Sequence, residues 1–156
     1  MRAKVYLETT IISYLSAWPS RDLIKAAHQQ ITQEWWETRA RFDLYISPLV
    51  HREVSAGDPG AAKLRLDALA GIPMLSAGPE ASVLAEKLVT QGSLPPKAAA
   101  DALHIAIAVV NGIDYLLTWN CTHIANAATR HQIEATCRQN GYEPVVLCTP
   151  EELMEE

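Results

Sequence analysis

Four residues stand where this chain can gather oxygen ligands: Glu8, Glu53, Asp101 and Asn120. Asp101 lies in AAADALHIAIAVV, residues 98–110, where eleven of thirteen residues are apolar and the exceptions are Asp101 and His104. A helix that is apolar on nearly every face is buried on nearly every face. Asp101 shares a stripe with Ala98, Ala102, Ile105 and Ala108, so it has no evident solvated side. A carboxylate in such a place is costly unless it is paired, hydrogen-bonded or metal-bound. The simpler account is a position near the helix N-terminus, where free amides and the macrodipole favour an anion.

Glu8 directly follows the strand-like KVYL, and Glu53 lies in SPLVHREVSAGDP with Leu49 and Val50 one turn earlier. That spacing turns Glu53 inward while Arg52 points outward. Asn120 follows the apolar run YLL in YLLTWNCTHIAN. Simpler readings stand beside each: Glu8 and Asn120 as cap or turn residues, and Glu53 as the partner of an arginine.

In open α/β sheets, ligand sites gather beyond the carboxyl ends of the strands, near the point where strand order reverses. If the first and fourth strands are neighbours, Glu8 and Asn120 face one crevice. Carboxylates crowded there without a counter-ion raise one another's pKa values. A hard divalent cation such as Mg²⁺ or Mn²⁺ relieves this, because it takes carboxylate, water and phosphate oxygens. The chemistry that suits such a site is phosphodiester hydrolysis, with an activated water as nucleophile.

Other reactive side chains fit less well. Cys121, Cys137 and Cys148 form no CxxC pair, which points to reduced thiols rather than a disulfide framework. A zinc site from Cys121, His123 and Cys137 lacks the usual ligand spacing. Cys121 and His123 are expected to be scaffold for the turn, His104 to be hydrogen-bonded in the core, and Thr118 to orient a ligand or water from the strand end. Asp114 falls at the opposite, amino end of the fourth strand and belongs to the turn after Gly112.

The elements that must position these residues alternate between two periodicities. Strands are predicted at 4–7, 44–46, 73–75, 115–118 and 144–147. Helices are predicted from 11, over 21–41, from 48, from about 60 to 70, and over 80–89, 97–111 and 131–140. Ser47-Pro48 reads as a cap and first helical position, while Gly112 and Gly141 read as helix stops. Strands alternating with helices predict a three-layer α/β/α sandwich around a parallel sheet of about five strands. Trp35 continues the Ile24–Ile31 stripe and is expected in the core, with Trp36 directed elsewhere. Arg39, Arg41, Arg52, Lys63 and Arg65 form either a phosphate-binding rim or a solvated face.

The totals are ordinary for a soluble globular protein. The chain has 156 residues, 49% hydrophobic and 20% charged, with a net charge of −5. It reads as one domain over 1–156 with no repeat or linker. The negative charge argues against coating nucleic acid by bulk electrostatics but leaves room for a nuclease with an acidic centre. No signal peptide or membrane span is read, so the expected location is the cytoplasm. A nucleotide-binding protein of another kind is disfavoured, since ETTIIS stands where a glycine-rich phosphate loop would follow the first strand.

The blocks VYLETTIISYL, SPLVHREVSAGDP and AAADALHIAIAVVNGIDYLLTWNCTHIAN, in that order, resemble the PIN-domain nucleases, and among them the VapC-type toxins of type II toxin–antitoxin pairs. The resemblance runs from Val5 to about Leu147. It implies a five-stranded parallel sheet, a Mg²⁺- or Mn²⁺-dependent endoribonuclease acting on RNA, a homodimer, and a cognate antitoxin. By motif, Glu8, Glu53, Asp101 and Asn120 take the four catalytic positions, with Glu8 and Asp101 as metal ligands. Two departures stand out: Glu8 replaces the usual aspartate, and Asn120 is neutral where an acid is usual. They keep a second reading open, a catalytically weakened PIN-like module that binds RNA or a protein.

Overall fold

The computed structural model describes residues 1–154. The chain runs β1 (Lys4–Leu7), α1 (Thr9–Ser16), α2 (Leu23–Glu37), β2 (Asp43–Tyr45), α3 (Pro48–Val54), α4 (Pro59–Ala68), α5 (Pro79–Thr90), α6 (Ala99–Val110), β3 (Tyr115–Leu117), α7 (Ala127–Gln139) and β4 (Val146–Cys148). The four strands are all parallel, in the order β2-β1-β3-β4. Order reverses at β1, which pairs Val5 with Leu44 on one side and with Tyr115 on the other. The expected α/β fold, a parallel sheet between helices, is the one observed.

Successive strand residues point to opposite faces. In β1, Val5, Tyr6 and Leu7 are all fully buried, so helices must cover both faces of the sheet at that strand. They do so as two packed sets. Helix α1 meets α2, α3 and α4, while α5 meets α6 and α7. Trp35 is fully buried and its ring stacks on Phe42 at 5.8 Å, as its place on the α2 stripe predicts.

Local chemistry explains most boundaries. Ser47 and Asp58 cap α3 and α4, accepting from Val50 N at 3.2 Å and Ala61 N at 2.9 Å, each followed by a proline at the first helical position. Gly112 and Gly141 take φ of +67° and +86° after α6 and α7, a conformation that stops a helix at little steric cost only for glycine. Two starts come earlier than the periodicity predicts. Glu8 accepts from Thr10 N and so begins α1 at Thr9; Asn126 accepts from Ala128 N and begins α7 at Ala127.

The sheet has four strands rather than about five. Residues 73–75 make only one bridge, Met74 to Ile46, with Ile46 N donating to Pro73 O and Leu75 N donating to Ile46 O. Pro73 has no N–H to extend a ladder, and Met74 is half exposed at the sheet's edge. Asp114 lies at the amino end of β3, as expected, where its carboxylate accepts from Lys4 N at 2.8 Å. Among the described residues, no helix is long and apolar enough to cross a membrane.

Candidate active site at the carboxyl edge of the sheet

The carboxyl ends of β1, β2 and β3 deliver Glu8, Ser47 and Thr118 to one edge, and all three side chains are buried. Glu8 Oε1 accepts from Thr10 N at 3.1 Å, from the Thr10 hydroxyl at 2.5 Å and from the Thr118 hydroxyl at 2.7 Å. These donors fix one oxygen of the carboxylate and leave Oε2 turned toward His104, 4.0 Å from its Nε2. The cap expected as an alternative role for Glu8 is therefore real, and it occupies only half of the group.

Glu53 comes from the penultimate position of α3. Its Oε1 accepts from the Thr9 hydroxyl at 2.5 Å and lies 2.7 Å from His104 Nε2. Burial pushes this carboxyl up, but the hydrogen bonds from His104 and Thr9 outweigh it, and its pKa lies below the ordinary glutamate range. Glu8, Glu53 and His104 can each offer a ligand atom with all three atoms within 4.8 Å of one another, the only such set among the described residues. This donor set combines two carboxylates and one imidazole, and its oxygens suit a hard divalent cation.

Asp101 and Asn120 form the other half of the site. Asp101 Oδ2 pairs with His123 Nδ1 at 3.0 Å, and Asn120 Oδ1 accepts from His123 N at 3.0 Å. Asn120 N donates to the Thr118 hydroxyl at 2.9 Å. Thr118 thus joins the two halves, donating to Glu8 and accepting from Asn120. Asp101 and His104 stand three residues apart on α6, so they share a face one turn apart. Of the four residues expected from sequence, Glu8 and Glu53 meet directly through His104, while Asp101 and Asn120 meet through His123.

Two histidines carry more than the sequence suggests. His104 is hydrogen-bonded in the core, as expected, yet it also faces both carboxylates: its Nδ1 lies 2.6 Å from the Tyr6 hydroxyl, which lies 2.8 Å from Ser47 Oγ. Burial raises the Tyr6 phenol far above its ordinary range, so it is a neutral hydroxyl. His123 is more than turn scaffold, because its ring holds Asp101. The available signal was that His104 is the only other polar residue in the apolar stretch around Asp101.

The remaining candidates are used elsewhere. No zinc-type group forms around Cys121, His123 and Cys137 among the described residues. Burial pushes the Cys137 and Cys148 thiols up to about 11 and about 12, and Cys121 also sits above its ordinary value through burial and the nearby Glu152 and Glu151. Arg65 donates to Val54 O at the end of α3 and to Ala56 O just beyond it, Lys63 pairs with Asp67, and Arg39 lies over the Trp36 ring.

No protein-family model and no curated protein sequence matches this chain. Its fold is similar to that of a chain in the crystal structure of VapBC2 from Rickettsia felis bound to a DNA fragment from their promoter. The TM-score is 0.59 at 15% sequence identity, covering 94% of this chain and 98% of the other.

Proposed function

We propose that this protein is a metal-dependent endoribonuclease that hydrolyses RNA phosphodiester bonds and serves as the toxin of a toxin–antitoxin pair. The observation that carries the reading is the convergence of Glu8, Glu53, Asp101 and Asn120, through Thr118, His104 and His123, at the carboxyl edge of a parallel sheet. Mg²⁺ or Mn²⁺, bound by Glu8 and Asp101 with Glu53 beside them, would supply water activation and neutralise charge on the scissile phosphate.

Among the described residues, hydrogen bonds leave Glu8 Oε2, Glu53 Oε2 and Asp101 Oδ1 unused, while the other oxygen of each group is anchored. Anchoring one oxygen holds the other in place without occupying it, which lowers the cost of ordering the carboxylates when an ion arrives. Asn120 adds a neutral oxygen whose orientation is set by His123 N. The fold likeness to a chain of a VapBC2 complex supports an antitoxin as partner. A homodimer and a cytoplasmic location belong to the same proposal.

The test is cleavage of an RNA pool by the purified protein. Cleavage is expected with Mg²⁺ or Mn²⁺, absent with EDTA, and abolished by Asp101→Asn. Retained cleavage by Asp101→Asn refutes the site. The amide at Asn120 favours a second reading, a weakened PIN-like module that binds RNA or protein. Absence of cleavage and of Mn²⁺ binding, with tight binding of an antitoxin-like peptide, would select it.

A further inference from the structure

We propose that Tyr6 is a positioning residue: with Ser47 behind it, its hydroxyl holds His104 as the tautomer protonated on Nε2, so that His104 serves the carboxylates as a hydrogen-bond donor and not as a metal ligand. This rests on the ribonuclease reading for its consequence and on the hydrogen-bond geometry alone for the tautomer.

The relay is short and dry. Ser47, Tyr6 and His104 are 0%, 0% and 1% exposed. Its distances are 2.8 Å from Ser47 Oγ to Tyr6 OH, 2.6 Å on to His104 Nδ1, and 2.7 Å from His104 Nε2 to Glu53 Oε1. Buried polar groups of this kind must find partners for every donor.

Three placements of the ring protons can be tested against that requirement. A proton on Nδ1 alone would set the Nε2 lone pair against an ionised Glu53 oxygen, two acceptors at 2.7 Å. Protons on both nitrogens would make Tyr6 accept from Nδ1 and donate to Ser47. The Ser47 oxygen already accepts from Val50 N at 3.2 Å, and its own proton would then have no acceptor in a buried site. A proton on Nε2 alone satisfies every group: Ser47 donates to Tyr6, Tyr6 donates to Nδ1, and Nε2 donates to Glu53.

Both ring nitrogens are thereby spent. The imidazole cannot turn to offer Nε2 to an ion without orphaning the Tyr6 hydroxyl and taking from Glu53 Oε1 one of its two donors, both unfavourable for buried polar groups. His104 instead pins Glu53 Oε1, with Thr9 on the same oxygen, and Glu53 Oε2 has no hydrogen bond among the described residues. Partners of this kind around metal ligands, when removed, typically cost about 10–100-fold in affinity or activity.

The experiment is long-range ¹H–¹⁵N correlation NMR on the full chain labelled at histidine, with His104 assigned by comparison with His104→Gln. A pyrrole-like Nε2 and a pyridine-like Nδ1 are expected, unchanged on saturation with Mg²⁺. A pyrrole-like Nδ1, or an Nε2 signal that moves to a metal-bound position, overturns the proposal. Mn²⁺ affinity from water-proton relaxation is the second readout. Tyr6→Phe and His104→Ala are each expected to weaken binding about tenfold, while His104→Gln, whose amide restores the donor, retains most of it. Loss in His104→Gln equal to that in His104→Ala marks His104 as a ligand and refutes the proposal, as does unchanged affinity in Tyr6→Phe. A wild-type protein that binds no Mn²⁺ would sink the metal-dependent reading, yet the tautomer measurement would still decide this one.

Discussion

Replacing Thr118 with valine isolates the hydroxyl that joins the two halves of the site. The side chain is fully buried, and valine has nearly the same shape, so the change removes hydrogen bonds with little change in packed volume. Three are lost: the donation to Glu8 Oε1 at 2.7 Å, the acceptance from Asn120 N at 2.9 Å and a long contact with the Thr10 hydroxyl at 3.5 Å, too weak to add much. A hydrogen bond to a charged group contributes about 1.5–3 kcal/mol, and an orphaned buried amide costs about 1–3 kcal/mol. Glu8 keeps its two donors from Thr10, so relaxation offsets part of the sum and a net loss of about 2–4 kcal/mol is expected. Thr118→Ser keeps the hydroxyl and deletes one methyl, which costs about 1 kcal/mol. Urea unfolding followed by tryptophan fluorescence and far-ultraviolet circular dichroism reads both values. The reasoning fails if Thr118→Val matches the wild type within about 0.5 kcal/mol, or if Thr118→Ser is the less stable variant, since packing and not the hydroxyl would then matter.

Glu53 sets part of the acid limb of stability. Its folded pKa lies below the ordinary value of 4.5, so its contribution is present above that value and is lost as pH falls through the lowered one. The stability difference between wild type and Glu53→Gln should therefore shrink as pH falls below the ordinary glutamate value of 4.5; a constant or widening gap refutes the assignment. Thiol titration tests the core beside β3. Cys121 is exposed and should react with a disulfide reagent in the native protein, whereas Cys137 and Cys148, buried and with pKa values of about 11 and about 12, should react only on unfolding. Rapid native reaction of all three would contradict the packing of α7 and β4.

Much of the frame was legible because it depends on local rules. KVYL reads as a strand, Ser47-Pro48 reads as a helix start, and Gly112 and Gly141 read as stops, each for reasons confined to a few residues. The boundaries that shifted, at Glu8 and Asn126, did so because a side chain caps a turn earlier than hydrophobic spacing registers it. The strand expected at 73–75 shrank to one bridge because strand pairing depends on a neighbour's free edge, which Pro73 cannot extend and Met74 does not bury.

The amino-acid sequence by itself determined that Glu8, Glu53, Asp101 and Asn120 lie at element ends or on a buried helix face, because those placements follow from 2.0 and 3.6 residue periodicities. Only the tertiary structure decided which side chains touch. Strand order puts β1 between β2 and β3, and that brings Tyr6 to His104 across 98 positions, Thr118 to Glu8 across 110 and Glu53 to His104 across 51. Hydrogen bonds act over about 3 Å, so their pairing is written in the packing of distant segments. For that reason His104 and His123, ordinary in the sequence, become the residues that hold the carboxylates in place.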